Sequence, residues 1–142
     1  MKSKEIIFHF KNVMDGSPWY GHSVMKVLNN IADPNPHVLS ILQHMIAWRD
    51  LAIDRIRGVD RSIKIDTDED WPQEKNFTLD DAIERLQSTN QDFILLLQDK
   101  EDDWFKLKMK QSGYTFQFLI EGIIQHDIYH LGQIAILGKE KK

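Results

Sequence analysis

Two histidines, His126 and His130, stand four residues apart in the run Gln125-His126-Asp127-Ile128-Tyr129-His130-Leu131-Gly132-Gln133-Ile134. On an α-helix, such residues lie about 40° apart around the axis and about 6 Å apart along it. Both imidazoles therefore leave the same face, one above the other. Neutral imidazole is a transition-metal ligand, and two rings so placed can share one ion. Leu119, Ile123, His126, His130, Ile134 and Leu137 recur at helical spacing, which predicts that both histidines face the core. A buried polar ring is costly without a partner. The bland explanation is a pair of core histidines hydrogen-bonded to their neighbours. The i, i+4 pairing favours a metal site.

The chain has no cysteine, so neither a disulfide nor a thiolate metal site is available. Any transition metal must be held by His, Asp or Glu. A zinc-type site needs at least a third protein ligand. The candidates are His9, His22, His37 and His44. His44 lies amid apolar residues on a stripe of Ile41, His44, Trp48 and Leu51. His37 falls at a helix start, His9 beside the Ile6–Phe10 stripe, and His22 in a Tyr-Gly-His-Ser context. Spacing favours His44.

His126-Asp127-Ile128-Tyr129-His130 also has the outline of H-E-x-x-H, with Asp where a general-base Glu would stand. Asp127 is thus one catalytic candidate, as a base or as an acceptor for an imidazole N–H. Its commoner fate is a surface carboxylate or an interhelix salt bridge. Tyr129 is a second candidate, as a hydrogen-bond donor, although a buried Tyr with a satisfied hydroxyl is commoner. Trp19, Trp48, Trp71 and Trp104 read as core residues, with Trp48 also placed to wall a pocket beside His44. Arg49 and Arg55 are candidates for an anionic substrate, against a commoner role in surface ion pairs. No Gly-rich phosphate loop and no G-x-S-x-G motif is present.

The elements that must position these residues are helical. Ile6, Ile7, Phe10, Val13 and Met14 predict a helix from about Lys2 to Met14. Ser17 as N-cap with Pro18 at the first position predicts a restart through about Ile31. Asn35-Pro36 repeats that signal and opens a long helix from about His37 to Ile56, closed near Gly58. The polar stretch from Val59 to Asn76 reads as a long ordered crossover with one buried aromatic, Trp71. Thr78 and Asp81 resemble a capping box at the head of a helix reaching about Asp99. Phe105 to Lys110 reads as an extended connector, and the last helix spans about Tyr114 to Leu137 and stops at Gly138. Four helical blocks with one long crossover predict an all-α four-helix bundle.

A chain of 142 residues reads as one domain, 1–142. The net charge of −4 is spread along it, which argues against nucleic acid as a partner. The basic tail Lys139-Glu140-Lys141-Lys142 reads as a solvated end. No signal peptide and no membrane-length apolar run is apparent, so a cytoplasmic protein with no membrane partner is expected.

Four pieces of the sequence resemble the DinB-like, also called YfiT-like, metalloenzyme family, and the likeness spans essentially the whole chain. They are Pro18-Trp19-Tyr20-Gly21, the run from His37 to Arg49, Asp70-Trp71-Pro72 and the run from Gln125 to Ile134. The resemblance implies an up-down-down-up four-helix bundle with its crossover between the second and third helices. It implies a three-histidine site of His44, His126 and His130, holding a divalent ion such as Zn²⁺ or Ni²⁺. It also implies a homodimer, although no heptad seam is legible in the sequence. Some relatives are transferases or isomerases that use low-molecular-weight thiols. The leading functional expectation is therefore a metal-dependent thiol S-transferase acting on a small electrophilic substrate. The alternatives are a metal-dependent hydrolase and a non-catalytic, metal-stabilised, stress-associated protein.

Overall fold

A computed structural model of the protein describes residues 2–110 and 112–139. Its helices are α1 (Lys2–Asp15), α2 (Val24–Asn29), α3 (Pro36–Ile56), α4 (Leu79–Leu97) and α5 (Phe116–Leu137). Each long helix after the first starts where a side chain satisfies an orphan amide. Asn35 caps α3 through the Val38 N–H, with Pro36 at its first turn. Thr78 and Asp81 form a reciprocal capping box on α4, and Thr115 caps α5 through the Phe118 N–H.

The four long helices form an up-down-down-up bundle. Ile6 and Phe10 of α1 pack with Ala52 and Ile56 of α3, Phe93 and Leu97 of α4, and Ile120 and Ile123 of α5. At the other end Val13 and Met14 pack with Val38, Leu42, Ala82, Leu86, Leu131 and Ile134. Early residues of α3 and α4 share one end and late residues share the other, so these two helices run parallel. That arrangement requires the long crossover between them. α1 and α5 run the opposite way.

A polar layer separates the two apolar clusters. Arg49 is only 2 % exposed. Its Nε donates to Asp127 Oδ2 at 3.0 Å, and its other nitrogens donate to the Leu86 carbonyl, Thr89 Oγ1 and Asn90 Oδ1 at 2.7 to 3.1 Å. Asn90 in turn donates to the Phe10 carbonyl. One guanidinium therefore ties α3 to α4 and α5, and through Asn90 to α1. Arg49 is not the surface ion pair expected of it. Asp127 takes the interhelix alternative.

Several sequence expectations are corrected. The helix restart at Ser17-Pro18 does not form. Gly21, at φ 152°, closes a turn in which its N–H donates to the Pro18 carbonyl. The short α2 begins only after Ser23, which caps Lys26. Trp19 is fully exposed rather than core. The connector contains a 3₁₀ turn over Asp102–Lys106 that buries Phe105, followed by a bridge between Lys108 and Thr115. In the crossover, Phe77 is the buried aromatic, and Trp71 is half-buried. On α5 the buried stripe runs through Ile120, Ile123, Asp127, His130 and Ile134, which leaves His126 half-buried and Leu137 exposed. Arg49 causes that rotation by drawing Asp127 inward. Residues 140–142 of the basic tail lie outside the described residues, and no described helix is long and apolar enough to cross a membrane.

Removing one member of a buried ion pair strands the other charge and costs about 3–5 kcal/mol. Arg49→Ala is expected to lose that much in urea denaturation, and Arg49→Met with Asp127→Leu to recover most of it. A loss below about 1 kcal/mol for the single variant would mean that this layer does not hold the bundle together.

Candidate metal centre

His44 comes from the middle of α3, and His126 and His130 from successive turns of α5. α3 and α5 run antiparallel, and Asp127, the partner of Arg49, lies between His126 and His130 along α5. His44 Nε2 lies 3.1 Å from His126 Nε2. One ring nitrogen from each of the three histidines lies within 4.8 Å of the others. The remaining histidines, His9, His22 and His37, are exposed and stand outside this group.

Hydrogen bonds settle where two of the protons sit. His44 Nδ1 is 2.7 Å from the Asp70 carbonyl oxygen and 3.1 Å from Asp70 Oδ1. A carbonyl only accepts, so this nitrogen carries the proton and Nε2 presents its lone pair. His130 Nδ1 donates to Gln133 Oε1 at 2.7 Å, which frees its Nε2 in the same way. His126 Nδ1 is buried with no partner. The His44–His126 contact is a hydrogen bond when neutral His126 carries its proton on Nε2, and it offers two lone pairs to an ion when that proton sits on Nδ1.

Burial keeps His126 and His130 neutral. Burial pushes His126 down from 6.5 to about 4, with the neighbouring His130 and His44 adding to the effect. Burial also lowers His130, against the opposing hydrogen bond to Gln133. Neutral imidazole is the form that binds a metal. The donor set therefore fits a divalent transition-metal ion, with His44, His126 and His130 as ligands. Imidazole suits both zinc and nickel.

The crossover supports the site from outside. Asp70 is buried, its Oδ1 accepting from Trp48 Nε1 at 2.7 Å and its Oδ2 from the Asp66 N–H at 2.9 Å. Burial alone would raise the Asp70 carboxyl. The Asp66 and Trp48 bonds and the nearby His44 outweigh it and hold the group below its ordinary range. Trp71 stacks on the His44 ring at 3.8 Å between centroids with an interplanar angle of 7°. Trp48 meets His44 edge-on at 6.4 Å.

The family model of the DinB superfamily matches residues 25–134, a span that takes in all three histidines. The chain belongs to the DinB superfamily. No curated protein and no solved structure matches it.

The two weaker catalytic candidates lie beside this centre. Asp127 is 2 % exposed, bound to Arg49 through Oδ2, with Oδ1 buried and unpartnered. Burial pushes its carboxyl up, and the Arg49 guanidinium pulls the other way. Tyr129 is exposed, not buried, and its ring meets His130 edge-on at 5.1 Å. Arg55 is only partly buried; its Nε donates to the Arg61 carbonyl in the crossover.

Sequence reasoning gave Asp70 and Gln133 no role in the site. Gln133 was findable, since it lies three residues after His130 on the same helix and within side-chain reach. Asp70 is one of four acidic residues, Asp66, Asp68, Glu69 and Asp70; spacing does not tell which of them turns inward, and its one signal was its place in the Asp70-Trp71-Pro72 piece of the resemblance.

The depressed His126 contributes, with His130, to the acid sensitivity expected of the metal-free protein. The unfolded chain takes up a proton near pH 6.5 and the folded chain only near about 4. Stability should therefore hold above pH 6.5, fall as the pH drops through that window, and level off as far as this group is concerned below about 4. Denaturation midpoints of the metal-free protein across the window are expected to show this slope, and His126→Gln to flatten it. An identical slope in the variant would assign the acid sensitivity elsewhere.

Proposed function

We propose that this DinB-superfamily protein is a metal-dependent thiol S-transferase acting on small electrophiles. The observation that carries the reading is the convergence of three neutral imidazoles, each offering a lone pair to one centre. Three protein ligands are the number found at catalytic sites that keep a position open for a reactant. A divalent ion held there supplies Lewis-acid chemistry, acidifying a thiol or water that reaches it.

The chain's own residues do the rest. Asp70 and Gln133 fix the tautomers of His44 and His130, so both lone pairs stay aimed at the centre. Trp71 and Trp48 flank His44 and keep water from its ring. Arg49 and Asp127 offset one another, so the net charge of the immediate surroundings is that of Asp70. A dication would thus keep excess positive charge toward an incoming anion such as a thiolate. The protein has no cysteine, so the thiol must come from a separate small molecule.

The place of Asp127 supports thiol transfer over hydrolysis. Metal-assisted hydrolysis is helped by a base beside the attacking water, and Asp127 is sequestered against Arg49. An acidified thiol is already a nucleophile and needs no such base.

The test is turnover of a model electrophile by the metal-loaded protein with several low-molecular-weight thiols. A rate that needs both metal and thiol, and that is lost in His44→Ala, is expected. Metal-dependent turnover without any thiol would replace this reading with hydrolysis. No metal-dependent rate with any thiol would leave a non-catalytic metal-binding protein.

A further inference from the structure

The run from Phe105 to Lys110 alternates apolar and basic residues, and the metal centre makes no use of it. The Met109 N–H donates to the Tyr114 carbonyl and the Phe116 N–H to the Leu107 carbonyl, which holds the run beside the head of α5. Held there, it closes a cavity of about 320 Å³ against the end of α3. Arg55, in its lining, lies eleven residues after His44 on α3, and Phe116 lies ten residues before His126 on α5. At about 1.5 Å per residue, the cavity is about 15 Å from the metal centre, toward one end of the bundle.

The lining divides by chemistry. Leu107, Met109 and Phe116 supply an apolar wall, with Met109 buried. Arg55, Lys108 and Lys110 supply three cations, and no carboxylate lines the cavity. The chain as a whole carries −4, so this is a local reversal of its charge. The nearby acids are engaged elsewhere: Asp103 lies 3.9 Å from Lys106 Nζ, and Asp54 lies 2.8 Å from Arg61 Nη1. Asp60 acts on Arg55 from outside the lining. Among the described residues, neither Lys108 nor Lys110 enters an ion pair.

A second cavity shows the opposite case. Its Arg61 and Arg85 stand with Asp50, Asp68, Glu69 and Glu74, and Glu74 accepts two bonds from Arg85 at 2.8 Å. Those charges are met within the protein. In the first cavity three like charges share one space and repel, and an anion seated among them relieves that repulsion. Arg55 is the anchored member, since its Nε donates to the Arg61 carbonyl at 3.0 Å and its Nη2 to Ser62 Oγ at 3.5 Å. A guanidinium held in place is suited to a planar carboxylate.

Small-molecule sites combine an apolar lining with a few placed polar groups, in volumes of about 300–1,000 Å³. This cavity has that composition and stands at the small end of the range. A bare inorganic anion would leave the apolar wall unfilled, and a neutral hydrocarbon would leave the cations unmet. We propose that the cavity binds a small organic carboxylate with an apolar tail. The carboxylate sits among Arg55, Lys108 and Lys110, and the tail lies against Leu107, Met109 and Phe116. The site is separate from the metal centre and does not depend on the function assigned there.

The experiment is titration of the full, zinc-loaded chain with octanoate, read by calorimetry and by heteronuclear NMR. Saturable binding with a dissociation constant below about 1 mM is expected. The amide signals that move are expected to be those of Arg55, Gly58, Leu107, Met109 and Phe116. Octanol lacks the charge and acetate lacks the tail, so each should bind about tenfold or more weakly. Lys108 and Lys110 are exposed, and Lys108→Glu with Lys110→Glu should raise the octanoate dissociation constant about tenfold or more, circular dichroism checking the fold. His44→Ala should leave octanoate binding unchanged. No saturation with octanoate, octanol bound as tightly as octanoate, signals that move around His126 instead, or binding lost in His44→Ala would each overturn the proposal. Attachment to phosphatidylglycerol vesicles without octanoate binding would overturn it too, by assigning this face to a membrane surface.

Discussion

A buried arginine sets the geometry of this protein. Taking a guanidinium out of water is prohibitive unless its donors are met. Arg49 meets that demand with Asp127 on α5 and with Thr89, Asn90 and the Leu86 carbonyl on α4. The bonds require α5 to turn Asp127 inward. His126 and His130 then fall on the flank of α5 that faces α3, opposite His44. An apolar layer in place of Arg49 and Asp127 would pack, but it would fix the rotation of α5 less strictly. The ion pair's contribution is more to register than to net stability.

The second constraint comes from the crossover. Parallel α3 and α4 need a long connection, and here that connection also orients His44 through Asp70. Asp70 is held by the Asp66 amide and the Trp48 indole before it meets His44. The three imidazoles are consequently unequal. His44 is fixed by Asp70 and stacked on Trp71, His130 is fixed by Gln133, and His126 has no partner on Nδ1. Of the three candidate ligands, His126 is the one the protein itself orients least.

Much of this was legible in the sequence, where local rules decide. Asn35-Pro36 and Thr78 with Asp81 mark helix starts through their own capping chemistry, and the histidine pair follows from helical spacing alone. What spacing could not give was the identity of a long-range partner. Arg49 and Asp127 are 78 residues apart, and each looks like a surface charge until the other is placed beside it. The rotation of α5 was misread for the same reason, since a carboxylate ordinarily marks a solvent face. Pro18 carried a helix-start signal that lost to the turn at Gly21, because a positive φ there ends any helical run.

That His44, His126 and His130 together hold a divalent ion, as proposed, is tested most directly by X-ray absorption at the metal edge on protein purified without a histidine tag and loaded with zinc or nickel. The expected spectrum shows three imidazole nitrogens at about 2.0–2.1 Å for zinc, falling to two in His44→Ala. A spectrum unchanged in that variant, or one dominated by oxygen ligands, would contradict the three-histidine centre.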